Sequence, residues 1–162
     1  APELDFLGGD LRRLPFPDDS FDAHVSFGVL EHYEQGPQEL LGEARRILRP
    51  GGLVLASVPQ ENRLRLSPET ISADEARSGG YVFHQYYYRE SDMQQMLGEA
   101  GFEMLPDVHH YSVHHGLTDG TEWYSRVESK LGPLRRATQL LDFVPGLAAQ
   151  VGHMMFVAAR KR

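Results

Sequence analysis

Cysteine is absent from the 162 residues. That excludes disulfides and thiolate metal sites, and it agrees with a cytoplasmic protein. Long apolar runs are missing too: none approaches the roughly 18 residues needed to cross a bilayer, so no membrane partner is expected. The start, Ala1-Pro2-Glu3-Leu4-Asp5, has neither the basic region nor the apolar core of a secretory signal. Positive charge is scarce. Sixteen Lys plus Arg face 23 Asp plus Glu, for a net charge of −7. This argues against a nucleic-acid partner, because phosphate binding needs clustered cations. No internal repeat or low-complexity tract is present. What remains is ordinary globular composition, 41% apolar and 24% charged, at a length that suits one domain with a real core.

Residues 4–7 form a short apolar run ending in Gly8-Gly9-Asp10, the tail of a strand entering a turn. Leu14-Pro15-Phe16-Pro17-Asp18-Asp19 breaks both helical and strand periods. Residues 23–27 are a short strand. Pro37 to Leu48 is predicted as a helix, with Leu40, Leu41, Ala44, Ile47 and Leu48 on one face. Proline suits its first turn, and Arg45, Arg46 and Arg49 complement the dipole at its end. Pro50-Gly51-Gly52 should stop it. Residues 53–57 then form a continuous apolar run bounded by Gly and Pro, as in a strand buried on both faces. Residues 59–84 lack periodicity and read as an excursion over the sheet edge. Ser91 opens a second helix with Gln94 placed for a capping box, an apolar stripe at Met93, Met96, Leu97 and Ala100, and Gly101 as its stop. A strand starts at Phe102, and residues 109–113 prolong or follow it. Two amphipathic stretches fill 118–144, lined by Trp123, Tyr124, Val127 and Leu131, then by Leu134, Ala137, Leu141 and Val144. Residues 153–159 are a closing strand, and Arg160-Lys161-Arg162 is a solvated tail.

Three segments carry a resemblance. They are Gly9-Asp10 with Leu14-Pro15-Phe16 and Asp18-Asp19-Ser20-Phe21-Asp22, then Val25-Ser26-Phe27-Gly28-Val29-Leu30-Glu31-His32, then Ala44-Arg45-Arg46-Ile47-Leu48-Arg49-Pro50-Gly51-Gly52. In this order and spacing the chain resembles the type-11 group of class I S-adenosylmethionine-dependent methyltransferases. Tyr88-Arg89-Glu90, Glu99-Ala100-Gly101-Phe102 and the last apolar strand fit the same family. The resemblance implies an α/β fold with a Rossmann-like sheet, mostly parallel, whose last strand is antiparallel. That strand should be inserted so that the spatial order is 23–27, 53–57, 153–159, 102–108. The family's first strand, glycine-rich cofactor loop and second strand have no counterpart here, so the sheet is expected to be incomplete at its N-terminal side. Residues 23–27 would then be an exposed edge through which the chain could self-associate.

The resemblance also implies site residues. The position of Asp10 is the family's acceptor for the adenine amino group, and the amide of Leu11 would read a ring nitrogen. A turn role for Asp10 is the plainer alternative. Ser26, Phe27 and Gly28 would end the strand beneath the cofactor, where open α/β sheets bind ligands. His32 and His84 are candidate catalytic bases, with Tyr86, Tyr87 and Tyr88 beside the second. Helix capping by Glu31-His32 and loop packing by the tyrosines are the competing readings. His109, His110, His114 and His115 suggest metal at a glance. On one strand His110 and His114 would share a face, yet no ligand spacing supports a site. The expected activity is methyl transfer from S-adenosylmethionine to a small-molecule acceptor, with residues of about 115–150 forming a helical lid on a single domain spanning 1–162. The rival is a non-catalytic remnant or binding module that no longer uses the cofactor. A dinucleotide-dependent oxidoreductase is a third reading, disfavoured by the loop from Leu14 to Phe21 and by Arg49-Pro50-Gly51-Gly52.

Overall fold

A computed structural model describes residues 7–63, 83, 85–120, 138, 140–144 and 146–162. Apolar alternation builds a five-stranded sheet: β1 (Phe21–Phe27), β2 (Leu48–Pro59), β3 (Phe102–Met104), β4 (His109–Tyr111) and β5 (Met154–Lys161). Their order is β1-β2-β5-β3, with β4 also paired to β5. β1 runs parallel to β2, while β5 is antiparallel to β2, β3 and β4. Only β5 therefore runs against the others, and the expected order and insertion hold. Residues 109–111 form the separate strand β4 rather than a prolongation of β3.

Helix α1 (Gln38–Ile47) lays Leu40, Leu41, Ala44 and Ile47 inward, within one residue of the expected bounds. Those side chains, with Val54, Ala56 and Val58 of β2, belong to the buried set. Helix α2 (Glu90–Glu99) adds Met93 and Leu97 beside Phe102, all fully buried. Two short helices, α3 (Val113–Gly120) and α4 (Leu147–Val151), lie before and after a 3₁₀ turn at Leu140–Phe143.

Four expectations need correction. β2 starts at Leu48, not at residue 53: Gly51 takes φ +77°, and the ladder slips between Phe21 and Ala23, so Pro50-Gly51-Gly52 is a bulge inside the strand. A Cβ on Gly52 would stand 2.9 Å from the Arg49 carbonyl oxygen, which explains the second glycine. Helix α2 starts at Glu90, and its N-terminal bond runs from the Arg89 amide to Asp92 Oδ2 at 2.8 Å, so Ser91 and Gln94 are not the capping pair. The tail is not simply solvated. Lys161 belongs to β5, and its ammonium donates to Leu48 O at 2.6 Å and to Asp19 Oδ1 at 2.7 Å. Helix α3 already begins at Val113, so His110 on β4 and His114 on α3 do not share a strand face. Most of the expected lid, including Trp123, Tyr124, Val127, Leu131, Leu134 and Ala137, and most of the 59–84 excursion lie outside the described residues.

Candidate cofactor site and the cleft beside it

The sheet's carboxyl end is built by the last residues of β1 and β2. Ser26 is buried, whereas Phe27 is 58% exposed and meets Phe156 at a centroid distance of 5.9 Å. Gly28 turns the chain at φ +65°, the left-handed region that favours glycine. Its amide donates to Ser57 O at 3.1 Å, which ties β1 to β2 at that end. A 3₁₀ turn, Leu30–His32, follows.

That turn places a residue the sequence reading treated only as a cap. Glu31 is 2% exposed, and its Oε2 has no hydrogen-bond partner among the described residues. Its Oε1 lies 3.6 Å from where a Cβ on Gly28 would stand. Desolvation raises its pKa above the ordinary carboxylate value. A buried carboxylate with an empty acceptor is costly unless a donor or a cation completes it. His32 is on the surface side of the turn, with its Nε2 3.9 Å from Glu31 Oε1. His84 lies outside the described residues.

Asp10 and Leu11 are exposed in a turn closed by the Arg13 amide on Asp10 O at 2.9 Å. The Asp10 carboxylate accepts from the Arg12 amide, Nε and Nη2 at 2.8–3.2 Å. These bonds pull its pKa down to about 2. Both oxygens of this carboxylate are thus engaged by Arg12.

The three tyrosines have separate tasks. Tyr86 donates its hydroxyl to Glu34 O at 2.7 Å, and its amide binds Glu31 O at 2.9 Å. Tyr87 accepts from Gln85. Tyr88 is buried, pairs across a parallel bridge with Gln60, and its hydroxyl has no partner among the described residues. Burial first, then the nearby Tyr86, Glu31 and Asp92, push that hydroxyl's pKa up.

Tyr88 also lines a cleft of about 190 Å³ at the end of β2, with Gln60, Glu61, Glu90, His110 and Met155 among the other walls. Sequence reasoning missed Gln60 entirely. It is 3% exposed, and its Nε2 donates to Ala148 O and Gly152 O, both at 2.8 Å. The remaining oxygen, Oε1, faces His110 Nδ1. His109 is stacked on Tyr111, His114 Nδ1 meets Thr138 Oγ1 at 3.0 Å, and His115 Nδ1 meets Ser112 Oγ at 2.7 Å. Among the described residues no three His, Asp or Glu side chains are grouped to hold a metal, and no helix is long and apolar enough to cross a membrane.

A family model described as a methyltransferase domain, type 11, matches residues 1–56, the part that includes Asp10 and the Ser26-Phe27-Gly28 turn. This match, with the relatives that follow, supports a class I methyltransferase of the type-11 group. A demethylmenaquinone methyltransferase of Renibacterium salmoninarum is 30% identical over 72% of this chain and 54% of its own. A second, from Paenarthrobacter aurescens, is 47% identical over 62% of this chain and 46% of its own. The chain thus spans about half the length of these relatives. The crystal structure of the [4+2]-cyclase SpnF superposes with a TM-score of 0.59 at 22% identity, covering 97% of this chain and 56% of that one, a likeness of fold alone.

Proposed function

We propose that this chain is part of an enzyme that transfers a methyl group from S-adenosylmethionine to a small-molecule acceptor. The observation that carries the reading is the buried Glu31 carboxylate, whose Oε2 has no hydrogen-bond partner among the described residues, beside the left-handed Gly28 at the carboxyl end of β1. When bound, the cofactor supplies an electrophilic methyl group on a cationic sulfur. A carboxylate in low dielectric suits such a positive neighbour. Gly28 keeps the backbone open to close approach, while the carbonyls of Ser26 and Phe27 end the strand where an amino group would be received. Asp10 and the Leu11 amide are the adenine contacts in this proposal, which requires the Arg12 guanidinium to swing off the carboxylate. His32 is the candidate base within reach of Glu31. The relatives are demethylmenaquinone methyltransferases by name, which supports a small organic acceptor.

Calorimetric titration of the full-length protein with S-adenosylmethionine tests this. Binding should be saturable, and Glu31→Gln should weaken it about tenfold, the loss of one charge-assisted contact. Equal affinity for wild type and variant would remove Glu31 from the site. No binding at all would favour the rival, a binding module without the cofactor, for which the engaged Asp10 carboxylate speaks.

We also propose that the outer edge of β1 mediates self-association. Among the described residues it pairs only with β2, and Val25 and Phe27 are 54% and 58% exposed. Bare apolar edges are templates for pairing. Light scattering of this 162-residue chain should show mass rising with concentration, and Val25→Lys should suppress the rise. A concentration-independent monomer would refute it.

A further inference from the structure

His110 is held by a relay that fixes where its lone pair points. Gln60 spends both amide hydrogens on Ala148 O and Gly152 O, so its side-chain oxygen is the atom facing His110. An oxygen acceptor there requires His110 Nδ1 to carry the hydrogen. Burial lowers the ring's pKa, a trend that Glu90 opposes and His109 aids, so the neutral ring is favoured. In the neutral ring Nε2 is then a bare acceptor. It lies 4.0 Å from Glu90 Oε2, a second acceptor. Two acceptors at that separation repel unless a donor stands between them, and one nitrogen about 2.8 Å from each satisfies both. Of the other charges in the cleft wall, Arg89 is taken by Glu61 through Nε and Nη2, at 2.9 and 2.6 Å. Among the described residues, the only basic side chain that the Glu90 carboxylate meets at ion-pair distance is His110.

We propose that this cleft binds the ammonium group of a small amine, held between His110 Nε2 and the Glu90 carboxylate. The cavity admits a ligand of about one ring, with Met155 and Ala149 as its apolar wall. A methyl acceptor must be the neutral amine, so one ammonium proton passes to His110 Nε2. The ring's burial opposes that transfer and the Glu90 carboxylate aids it, and the amine is left with a free lone pair. As a methyl-acceptor site the cleft rests on the methyl-transfer reading above. In that case the amine nitrogen bonds the methyl carbon, the carbon–sulfur bond breaks, and its electron pair stays on the sulfur. The binding of an amine does not depend on that reading.

The test uses the full-length protein, labelled with ¹⁵N, and two probes of one shape, benzylamine and benzyl alcohol. Long-range ¹H–¹⁵N spectra should show His110 with its hydrogen on Nδ1. Benzylamine should shift the Nε2 resonance saturably, and benzyl alcohol should bind at least tenfold more weakly, because it lacks the charge. Glu90→Gln is a safe variant, since Glu90 is 54% exposed, and it should weaken benzylamine about tenfold. A hydrogen on Nε2, equal binding of the two probes, or unchanged affinity in Glu90→Gln would overturn the proposal. S-adenosylmethionine titration on the same sample separates the two readings. Amine binding without cofactor binding would sink methyl transfer and keep the amine site, and the converse would do the opposite.

Discussion

Glu43, in the middle of helix α1, and Glu31, in the turn before it, are both buried, at 8% and 2% exposure. Glu43 accepts from the Leu14 amide at 2.6 Å and from Arg46 Nη2 and Nε at 2.7 and 2.9 Å. Arg46 in turn holds Phe16 O, Leu14 O and Asp18, so one carboxylate anchors the whole Leu14–Asp18 loop to α1. Glu31 keeps an oxygen with no partner among the described residues. The pKa directions follow: the Arg46 hydrogen bond lowers that of Glu43, and desolvation raises that of Glu31. A satisfied buried carboxylate does structural work, and the unsatisfied one at the end of the sheet is the one that the proposal above assigns to the cofactor.

The sharpest way to break this comparison is to remove Glu43. Glu43→Leu leaves the Leu14 amide and Arg46 without their acceptor and should cost about 2–3 kcal/mol, read as a lower denaturation midpoint. A change within about 0.5 kcal/mol would mean the loop is held by other contacts.

Glu31→Gln should act in the opposite direction. Removing an unsatisfied buried charge should leave stability unchanged or raise it by up to about 1 kcal/mol near pH 8. The pH dependences sharpen the contrast. Glu31, with a raised folded-state pKa, contributes stability that is complete below its unfolded value and is lost as pH rises through the folded one. Glu43, with a lowered pKa, contributes stability present above its unfolded value and lost as pH falls through the folded one. Urea midpoints between pH 3 and 8 should therefore lose their acid-side fall in Glu43→Gln and their neutral-side fall in Glu31→Gln. Parallel curves for the two variants would show that the carboxylates are not opposed.

The parts legible in the sequence were those whose cause is local. The short apolar run at 53–57, bounded by Gly and Pro, and the one-sided helical stripe from Leu40 to Ile47 identify β2 and α1 because run length, flanking breakers and helical period are all local. Pro50-Gly51-Gly52 carries two meanings in sequence: the same glycines that end helices also permit a bulge, and pairing with β1 decides for the bulge. The order of β5 between β2 and β3 came from family resemblance, since no residue pattern encodes insertion. The cleft was illegible. Gln60 and His110 are fifty positions apart in the chain, and only the carbonyls of α4 orient the amide that sets the imidazole. His110 therefore stood in the sequence as one of four histidines, with nothing to separate it from His109. Glu31 was hidden for a similar reason: burial of a cap-like glutamate depends on how Tyr86 and Gly28 close over it.

A third carboxylate extends the comparison to the surface, with the smallest effect. Asp10 is held by Arg12, yet the pair is about half exposed, so it should add little to stability. What Arg12 does control is the state of a proposed adenine contact. With Arg12 in place, Asp10 titrates at about 2, so it stays ionised through any physiological range. Arg12→Ala should return the titration towards the ordinary value of about 4, followed by the carboxyl ¹³C shift. It should also tighten S-adenosylmethionine by a modest factor, about threefold, because the cofactor no longer competes with a guanidinium. Asp10→Ala should weaken binding by a similar factor, and neither change should move the denaturation midpoint. An unshifted Asp10 titration in Arg12→Ala would show that the pairing does not set its charge. Equal cofactor affinity in all three proteins would assign Asp10 to the turn alone, leaving Glu31 as the carboxylate that the cofactor meets.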